Sequence, residues 1–423
     1  MSLAASSFEA ASQASPLRRS ERVRNALLWL TAASGALVFI EPSPYEVFTL
    51  LAMIVFAASG LVLRPALLPI AVLLVLINIG YSIAAAPLMD RTAVVNWVLT
   101  SWYLAGTALF FAAALGASTA ERLSFLTRGY VIAGVIASLA AIIGYFRLLP
   151  DSDDLLLLYG RARGTFKDPN VLGAFLVLPI LLSLQRVIAG RLIDALRGGV
   201  LLVLFTAAAL LSFSRGAWGQ IVLAAIVMLF LTFVMTRSSS QRMRIVAVTT
   251  VAAALACVFV AALLSIDAVA DLFKERARFE QDYDAGHTGR FGRQVLGALL
   301  ALDLPLGIGP LQFKEYFPED PHNSYLNAFM SGGWITGLSY PTMVLLTLAH
   351  GLRSVFVAAP WRPITITVYA AFVGTAAESL IVDSDHWRHY FLLLGMLWGL
   401  VIATRAHDES RAGATLAPPG QGR

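Results

Sequence analysis

The chain has 423 residues, of which 58% are hydrophobic and only 13% are charged. Soluble domains average about 45–50% apolar and about 25% charged residues, so the composition excludes an ordinary soluble protein and predicts a membrane protein. The single cysteine, Cys257, excludes a disulfide within one chain and lies in an apolar run, where we expect a small buried side chain. The net charge of +5 comes from scattered arginines without a basic stripe, which argues against nucleic-acid binding.

Apolar runs recur along most of the chain and are separated by short polar connections. Their number and lengths predict an all-α polytopic membrane protein with about 12 transmembrane helices. The runs cover residues 26–40, 47–63, 66–84, 93–115, 129–146, 171–184, 199–213, 217–235, 245–264, 325–349, 364–381 and 390–404.

These runs divide the chain into five parts. Residues 1–25 form a predicted cytoplasmic tail, and residues 26–264 hold the first nine predicted spans. A long exterior loop follows over residues 265–324, and it contains an amphipathic stretch, GRQVLGALLAL, that predicts a helix. Residues 325–404 hold the last three spans, and residues 405–423 form a second cytoplasmic tail that we expect to be disordered.

The positive charges predict which side of the membrane each connection faces. With a cytoplasmic N-terminus, 18 of the 31 Lys and Arg residues fall on the cytoplasmic side, together with both termini. This bias follows the positive-inside rule. The same topology brings five polar segments to the exterior side, which makes that side the predicted location of the function. These segments are GRARGTFKDPN (160–170), SFSRGAWG (212–219), DAGHTGRFGR (284–293), PHNSY (321–325) and DSDHWRH (383–389).

Two of these segments have the composition of anion-binding sites. Arg215 is a fixed charge between two apolar runs, and its guanidinium fork fits phosphate oxygens. Arg161, Arg163 and Lys167 put three cations before a predicted helix start, where Asn170 is a plausible N-cap. The alternatives are an interfacial arginine that reaches out to water and a solvated loop with a helix cap.

A histidine precedes the tenth predicted span. His322 can exchange a proton near neutral pH, and Asn323 fits the N-cap of the following helix. A histidine bound to the backbone is the alternative. The acidic and histidine residues of 383–389 fit no zinc spacing, so no metal site is predicted. Glu378, inside the eleventh span, is either a functional carboxylate or the partner of an arginine.

Four motifs in order resemble the O-antigen ligase and O-antigen polymerase superfamily of bacterial membrane glycosyltransferases. They are GTFKDPNVLGAF, SFSRGAWG, TGR followed by PLGIGPLQF, and PHNSYLNAFMSGGWITG, and the resemblance covers most of residues 160–402. It implies a GT-C-like helical fold in the bacterial inner membrane and transfer at the periplasmic face. It implies a glycan donor on undecaprenyl diphosphate, a lipid A-core or other glycan acceptor, and inverting transfer that needs neither metal nor cofactor.

The resemblance also implies roles for particular residues. Arg215 and Arg290 would neutralise the diphosphate leaving group, and His322 would orient or deprotonate the acceptor hydroxyl. The substrate-binding candidates beside these three catalytic ones are Arg161, Arg163, Lys167, Asn323 and His287, the last as a second-choice base.

Three alternatives stay open from the sequence. A polymerase of the same superfamily differs from a ligase in its acceptor, which no residue identifies. Gly333 and Gly337 are separated by three residues where the ligase pattern commonly has two, a departure that bears on the ligase assignment more than on the superfamily. A polysaccharide-related transporter is disfavoured because the halves show no repeat and no paired broken helices. A structural scaffold is also disfavoured, because that role does not explain why arginines gather on the exterior side.

Overall fold

A computed structural model describes residues 20–39, 41–267, 270–271, 273 and 289–416. It confirms the prediction of an all-α polytopic membrane protein. The helices before the long loop are α1 (20–34), α2 (Pro44–Ala58), α3 (Leu68–Ala85), α4 (Thr92–Leu115), α5 (Thr119–Tyr145), the single turn α6 (Asp153–Leu156), α7 (Pro169–Ala189), α8 (Leu192–Leu211), α9 (Arg215–Met235) and α10 (Ser239–Leu263). The later helices are α11 (Arg290–Asp303), α12 (Ser324–Phe356), α13 (Arg362–Glu378) and α14 (Arg388–Leu416).

In the described part of the chain, nine helices are long and apolar enough to cross a membrane. The three shorter helices α1, α2 and α13 coincide with the remaining predicted apolar runs. The predicted amphipathic helix of the long loop is also present, as α11. Apart from helices, the described residues include one two-residue hairpin, β1 (Leu157–Leu158) paired with β2 (Arg161–Ala162).

Both predicted tails are partly helical. Helix α1 begins at residue 20, and α14 continues to Leu416, through residues that the sequence placed in a disordered tail. Tertiary contacts explain the extension of α14. Arg405 lies 2.9 Å from the His350 Nδ1 atom, and Arg411 donates to the Ala358 carbonyl at 3.4 Å, so the extension is held against the far end of α12.

Close pairing of helices forms the core. Helix α12 packs along α3, α14 along α4, and α13 along α9, while α7 lies against both α8 and α9. Helix α10 is peripheral, because only 6% of its most apolar stretch is buried inside the protein. Cys257 lies on α10 and is exposed, so the expectation of a buried cysteine is wrong.

Helix α12 is broken where the sequence predicts one continuous span. Gly333 has φ 66° and ψ −163°, a conformation essentially restricted to glycine. A Cβ atom there would lie 2.3 Å from the Pro305 carbonyl oxygen. That oxygen accepts the Trp334 N–H at 2.9 Å, and Ile308 donates to the Met330 carbonyl at 2.7 Å. The loop segment PLGIGP therefore replaces helical hydrogen bonds at the break, which gives this motif a structural role.

Candidate functional site

The C-terminal end of α13 is the point where the polar segments meet. The Ser324 N–H at the start of α12 donates to the Ser379 carbonyl at 2.8 Å. One residue further on, the Tyr325 hydroxyl donates to the Ala376 carbonyl at 2.8 Å. These bonds fix the N-terminus of α12 against the last turn of α13, beside the turn that leads into α14.

That turn wraps around the start of α12. The Ser324 hydroxyl accepts the Ser384 N–H at 2.7 Å and donates to the Val382 carbonyl at 3.1 Å. Asp383 accepts the backbone N–H groups of His322 and Asn323, at 3.2 and 2.9 Å. The PHNSY and DSDHWRH segments, 60 residues apart in sequence, therefore form one hydrogen-bonded unit.

Asn323 is the N-cap of α12, as its position in the sequence suggests. Its side-chain oxygen accepts the N–H groups of Tyr325 and Leu326, both at 3.0 Å. These are donors that the first helical turn otherwise leaves unsatisfied. The side-chain oxygen of Asn323 is thus engaged in capping the helix, and its predicted contact with substrate stays a prediction.

His322 presents an imidazole at the surface of this unit. Its backbone is left-handed, with φ 48°, so the side chain leaves the chain at a sharp turn before the cap. The imidazole is 38% exposed, and its Nδ1 atom lies 3.5 Å from the Asp383 Oδ2 atom. Burial raises the pKa of Asp383, while the neighbouring His322 acts in the opposite direction. One carboxylate thus binds the backbone N–H of His322 and lies beside its ring.

Arg215 is brought to the same end of the bundle by the start of α9. Ser214 caps that helix by accepting the Ala217 N–H at 3.3 Å. The next residue, Gly216, lies against Glu378, because a Cβ atom there would be 3.1 Å from the Glu378 Oε1 atom. Arg215 is therefore next to a residue that touches the last turn of α13, where the start of α12 is also bound.

Glu378 itself is 3% exposed. Neither of its carboxylate oxygens has a hydrogen-bond partner within the described residues. Among the described residues, no arginine therefore hydrogen-bonds to this side chain, which was the structural alternative left open by the sequence. The packing also explains why position 216 carries no side chain.

Arg290 is the first residue of α11, which is tied to the His322 loop. Gln294, one turn further along, donates to the carbonyl oxygens of Pro321 and His322, at 3.1 and 3.2 Å. Residues four apart share a face of a helix, so Arg290 lies on the face of α11 that touches this loop. His287, the second-choice base, lies outside the described residues.

One residue of this region was missed by the sequence reasoning. Arg293 is 4% exposed and donates to the Glu319 Oε2 atom at 2.7 Å. This ion pair fixes α11 to the loop that precedes His322. The partners are 26 residues apart, beyond any helical spacing, so no local pattern in the sequence indicated the contact.

The 160–170 segment contacts the Arg215 segment through Arg161. The Arg161 Nε atom donates to the Ser212 carbonyl at 2.8 Å, and the same guanidinium donates to the Asn170 side-chain oxygen at 2.8 Å. The helix cap here is Asp168, which accepts the Asn170 N–H at 2.7 Å. The expectation of Asn170 as N-cap is therefore wrong, because Pro169 occupies the first helical position and places the cap one residue before it.

The other two cations of this segment point elsewhere. Arg163 donates to the carbonyl oxygens of Asp154 and Leu155, at 2.9 and 3.2 Å. Lys167 forms an exposed ion pair with Glu41. The structure thus spreads the three cations over three sets of contacts. In the described ranges, no three His, Cys, Asp or Glu side chains converge as metal ligands would.

Comparison with known proteins gives one finding about relatedness. The family model described as O-antigen ligase matches residues 200–340, which include Arg215, Arg290 and His322. No curated protein matches the chain. The matched segment runs from α8 through the break in α12, and so includes the PHNSY segment but not the DSDHWRH segment that binds it. Residues 200–340 are thus similar to the O-antigen ligase family, in agreement with the resemblance that the sequence motifs carry.

Proposed function

We propose that this protein transfers a glycan from undecaprenyl diphosphate to a sugar hydroxyl of an acceptor at the periplasmic face of the inner membrane. The observation that carries the proposal is the position of His322. Its half-exposed imidazole lies beside Asp383, at the end of the bundle that also holds Arg215 and Arg290. All three of His322, Arg215 and Arg290 fall inside the segment that matches the ligase family.

The lipid carrier explains why such a site is at the end of a helical bundle. A polyprenyl tail stays in the bilayer, its diphosphate lies at the interface, and the sugars project into water. Arg215 and Arg290 begin α9 and α11, so the partial positive charge of each helix N-terminus adds to the guanidinium charge. This combination stabilises the negative charge that develops on the leaving diphosphate.

His322 then acts on the acceptor. The acceptor hydroxyl attacks the anomeric carbon, the bond from that carbon to diphosphate breaks, and the hydroxyl proton passes to the imidazole. Asp383, 3.5 Å from the Nδ1 atom, favours the protonated ring that forms. A single displacement of this kind inverts the anomeric centre, and its steps need only side chains of this chain.

Complementation of a strain that lacks the protein tests the proposal. The variants are Arg215→Ala, Arg290→Ala and His322→Asn, since asparagine tolerates the left-handed backbone at position 322 better than alanine. Matched controls are Arg242→Ala and His407→Ala, which remove the same residue types from the predicted cytoplasmic side. Surface polysaccharide is analysed on gels, and membrane expression is quantified for every variant.

We expect the three site variants to be expressed and to lose mature polysaccharide, while both controls keep it. Full-length glycan left on the lipid carrier identifies the lost step as ligation. Single repeat units on lipid A-core identify it as polymerisation, the alternative activity within the superfamily. Normal polysaccharide in all three site variants contradicts the transferase proposal and favours a transporter or a scaffold.

A further inference from the structure

A second concave site lies beside the His322 unit. It is a cavity of about 160 Å³ between α1, α5, α7 and the start of α14. His322, Arg215 and Arg290 do not line it. Aromatic and aliphatic side chains make up most of its wall, namely Tyr45, Tyr130, Phe166, Phe175, Trp387 and Leu392.

The charged groups at this cavity are compensated. Lys167 pairs with Glu41, and both side chains are 59% exposed. Arg388, which also lines the cavity, pairs with Glu46 in the first turn of α2. Because each cation has a carboxylate partner, the cavity offers hydrogen-bonding groups without a net charge that would select a phosphate.

Two buried polar groups belong to the same wall. His389 is 5% exposed, and its ring stacks on Trp387 with centroids 5.1 Å apart. Tyr45 is 3% exposed. Within the described residues, neither the His389 Nε2 atom nor the Tyr45 hydroxyl has a hydrogen-bond partner. Both residues line the cavity, and both are held in place by the packing around them.

The position of the cavity relates it to His322. The turn that supplies Asp383 continues directly into His386 and Trp387, which line the cavity. Three residues of chain span at most about 11 Å, so the cavity wall begins within about two sugar rings of the His322 partner. A glycan with one hydroxyl at His322 can therefore place a neighbouring sugar here.

We propose that this cavity binds one sugar residue of the acceptor glycan, adjacent to the residue whose hydroxyl meets His322. The inference rests on the proposed function. A pyranose ring has apolar C–H faces that pack on aromatic rings, and hydroxyl groups that hydrogen-bond to paired charges such as Lys167 and Glu41. The cavity offers that combination in a volume of about one ring.

Gly35 gives a direct way to fill the cavity. A Cβ atom there would lie 3.8 Å from both Phe175 Cε2 and Tyr45 Cδ2, two atoms of the cavity wall. A leucine side chain at position 35 therefore extends between these rings. The matched control is Gly106→Leu, because a Cβ atom at Gly106 meets nothing within 4 Å.

The test measures binding without turnover. The protein carries His322→Asn, is reconstituted in lipid nanodiscs, and is titrated with core oligosaccharide released from host lipopolysaccharide by mild acid. Calorimetry gives the affinity, and saturation-transfer NMR identifies the sugar that contacts protein. We expect Gly35→Leu to weaken binding by about tenfold or more and Gly106→Leu to leave it unchanged.

A second pair of variants covers the case in which Gly35→Leu fails to fold. Lys167→Gln changes an exposed side chain, and we expect it to weaken binding several-fold, whereas Lys167→Arg keeps the affinity. The proposal is overturned if all variants bind the oligosaccharide with the affinity of the parent protein. It is also overturned if neither the parent protein nor any variant binds the oligosaccharide. The titration is repeated in the presence of undecaprenyl phosphate. If this lipid binds with an affinity that Gly35→Leu lowers, while the oligosaccharide does not bind, the proposal is overturned and the cavity is assigned to lipid. Transfer is scored separately by complementation, so failure of the transferase assignment is distinguishable from failure of this site.

Discussion

The segments 160–170 and 321–325 look alike in sequence and differ in the structure. Both are short polar stretches that precede an apolar helix, and both contain candidate ligands for a substrate. In the first, the polar side chains are engaged by the protein itself. Arg161 bonds to Ser212 and Asn170, and Arg163 bonds to two carbonyl oxygens. The charge of this segment therefore largely stabilises the loop.

In the second segment, groups other than the imidazole of His322 form the bonds that stabilise the loop. The backbone N–H of His322 and the cap of Asn323 hold the turn, and the imidazole of His322 keeps 38% of its surface exposed beside one carboxylate. The comparison teaches that the number of polar residues in a segment is a poor guide to function. What matters is which polar groups remain available after the fold has formed its own bonds.

Substitution of His322 gives the largest expected effect. His322→Asn keeps the left-handed turn and the backbone bond to Asp383, but removes the proton acceptor. We expect the transfer rate to fall by about 100-fold or more, since general base catalysis contributes about 10²–10⁴. The melting temperature in detergent should stay near that of the parent protein. A large loss of stability with a normal rate per folded molecule would contradict this expectation and make His322 a structural residue.

Substitution of Asp383 should give a smaller loss of rate together with a loss of stability. Asp383→Asn keeps one acceptor oxygen for the two N–H groups of the turn and no longer attracts the protonated imidazole. We expect kcat to fall while KM for the acceptor changes little, and we expect a lower melting temperature. A variant with wild-type kcat would show that Asp383 only supports the turn.

The His322 turn also shows which features of the site can be predicted from the sequence and which cannot. His322 and Asn323 were found from residue type and position, because proton transfer and helix capping have local signatures. The contact with Asp383 joins residues about 60 positions apart and depends on where α13 ends. Such a pairing is decided by tertiary packing, so the sequence named the segment that contains Asp383 but not the bond.

In the fold, too, local features were predictable and features that depend on tertiary contacts were not. Apolar runs predicted the helices well, since lipid exposure imposes a strong compositional signal. The break in α12 was not predicted, although Gly332 and Gly333 are visible in the sequence. The break requires the 305–308 loop to supply hydrogen bonds from outside the helix, and nothing in the local pattern shows which loop that is.

In the other segment, Arg161 should act on stability. Arg161→Gln loses the bonds to Ser212 and Asn170 that join two loops. Hydrogen bonds to charged groups contribute about 1.5–3 kcal/mol each, reduced here by partial exposure, so we expect the free energy of unfolding to fall by about 1–3 kcal/mol. The measurements are thermal melting in detergent and transfer rate per folded protein. A normal melting temperature with a much higher KM for the donor would make Arg161 a phosphate ligand.

Arg163 should give the smallest effect and the sharpest separation between the two segments. Its guanidinium donates to the carbonyl oxygens of Asp154 and Leu155 at the surface, where water replaces lost hydrogen bonds readily. We expect Arg163→Gln to lower the free energy of unfolding by less than about 1 kcal/mol and to leave the transfer rate within about twofold of wild type. The anion-site interpretation of the sequence gives the opposite expectation, a higher KM for the diphosphate donor at unchanged stability. Donor titrations of Arg163→Gln and Arg163→Lys decide between them, because a phosphate ligand is partly rescued by lysine and a guanidinium that bridges two carbonyl oxygens is not.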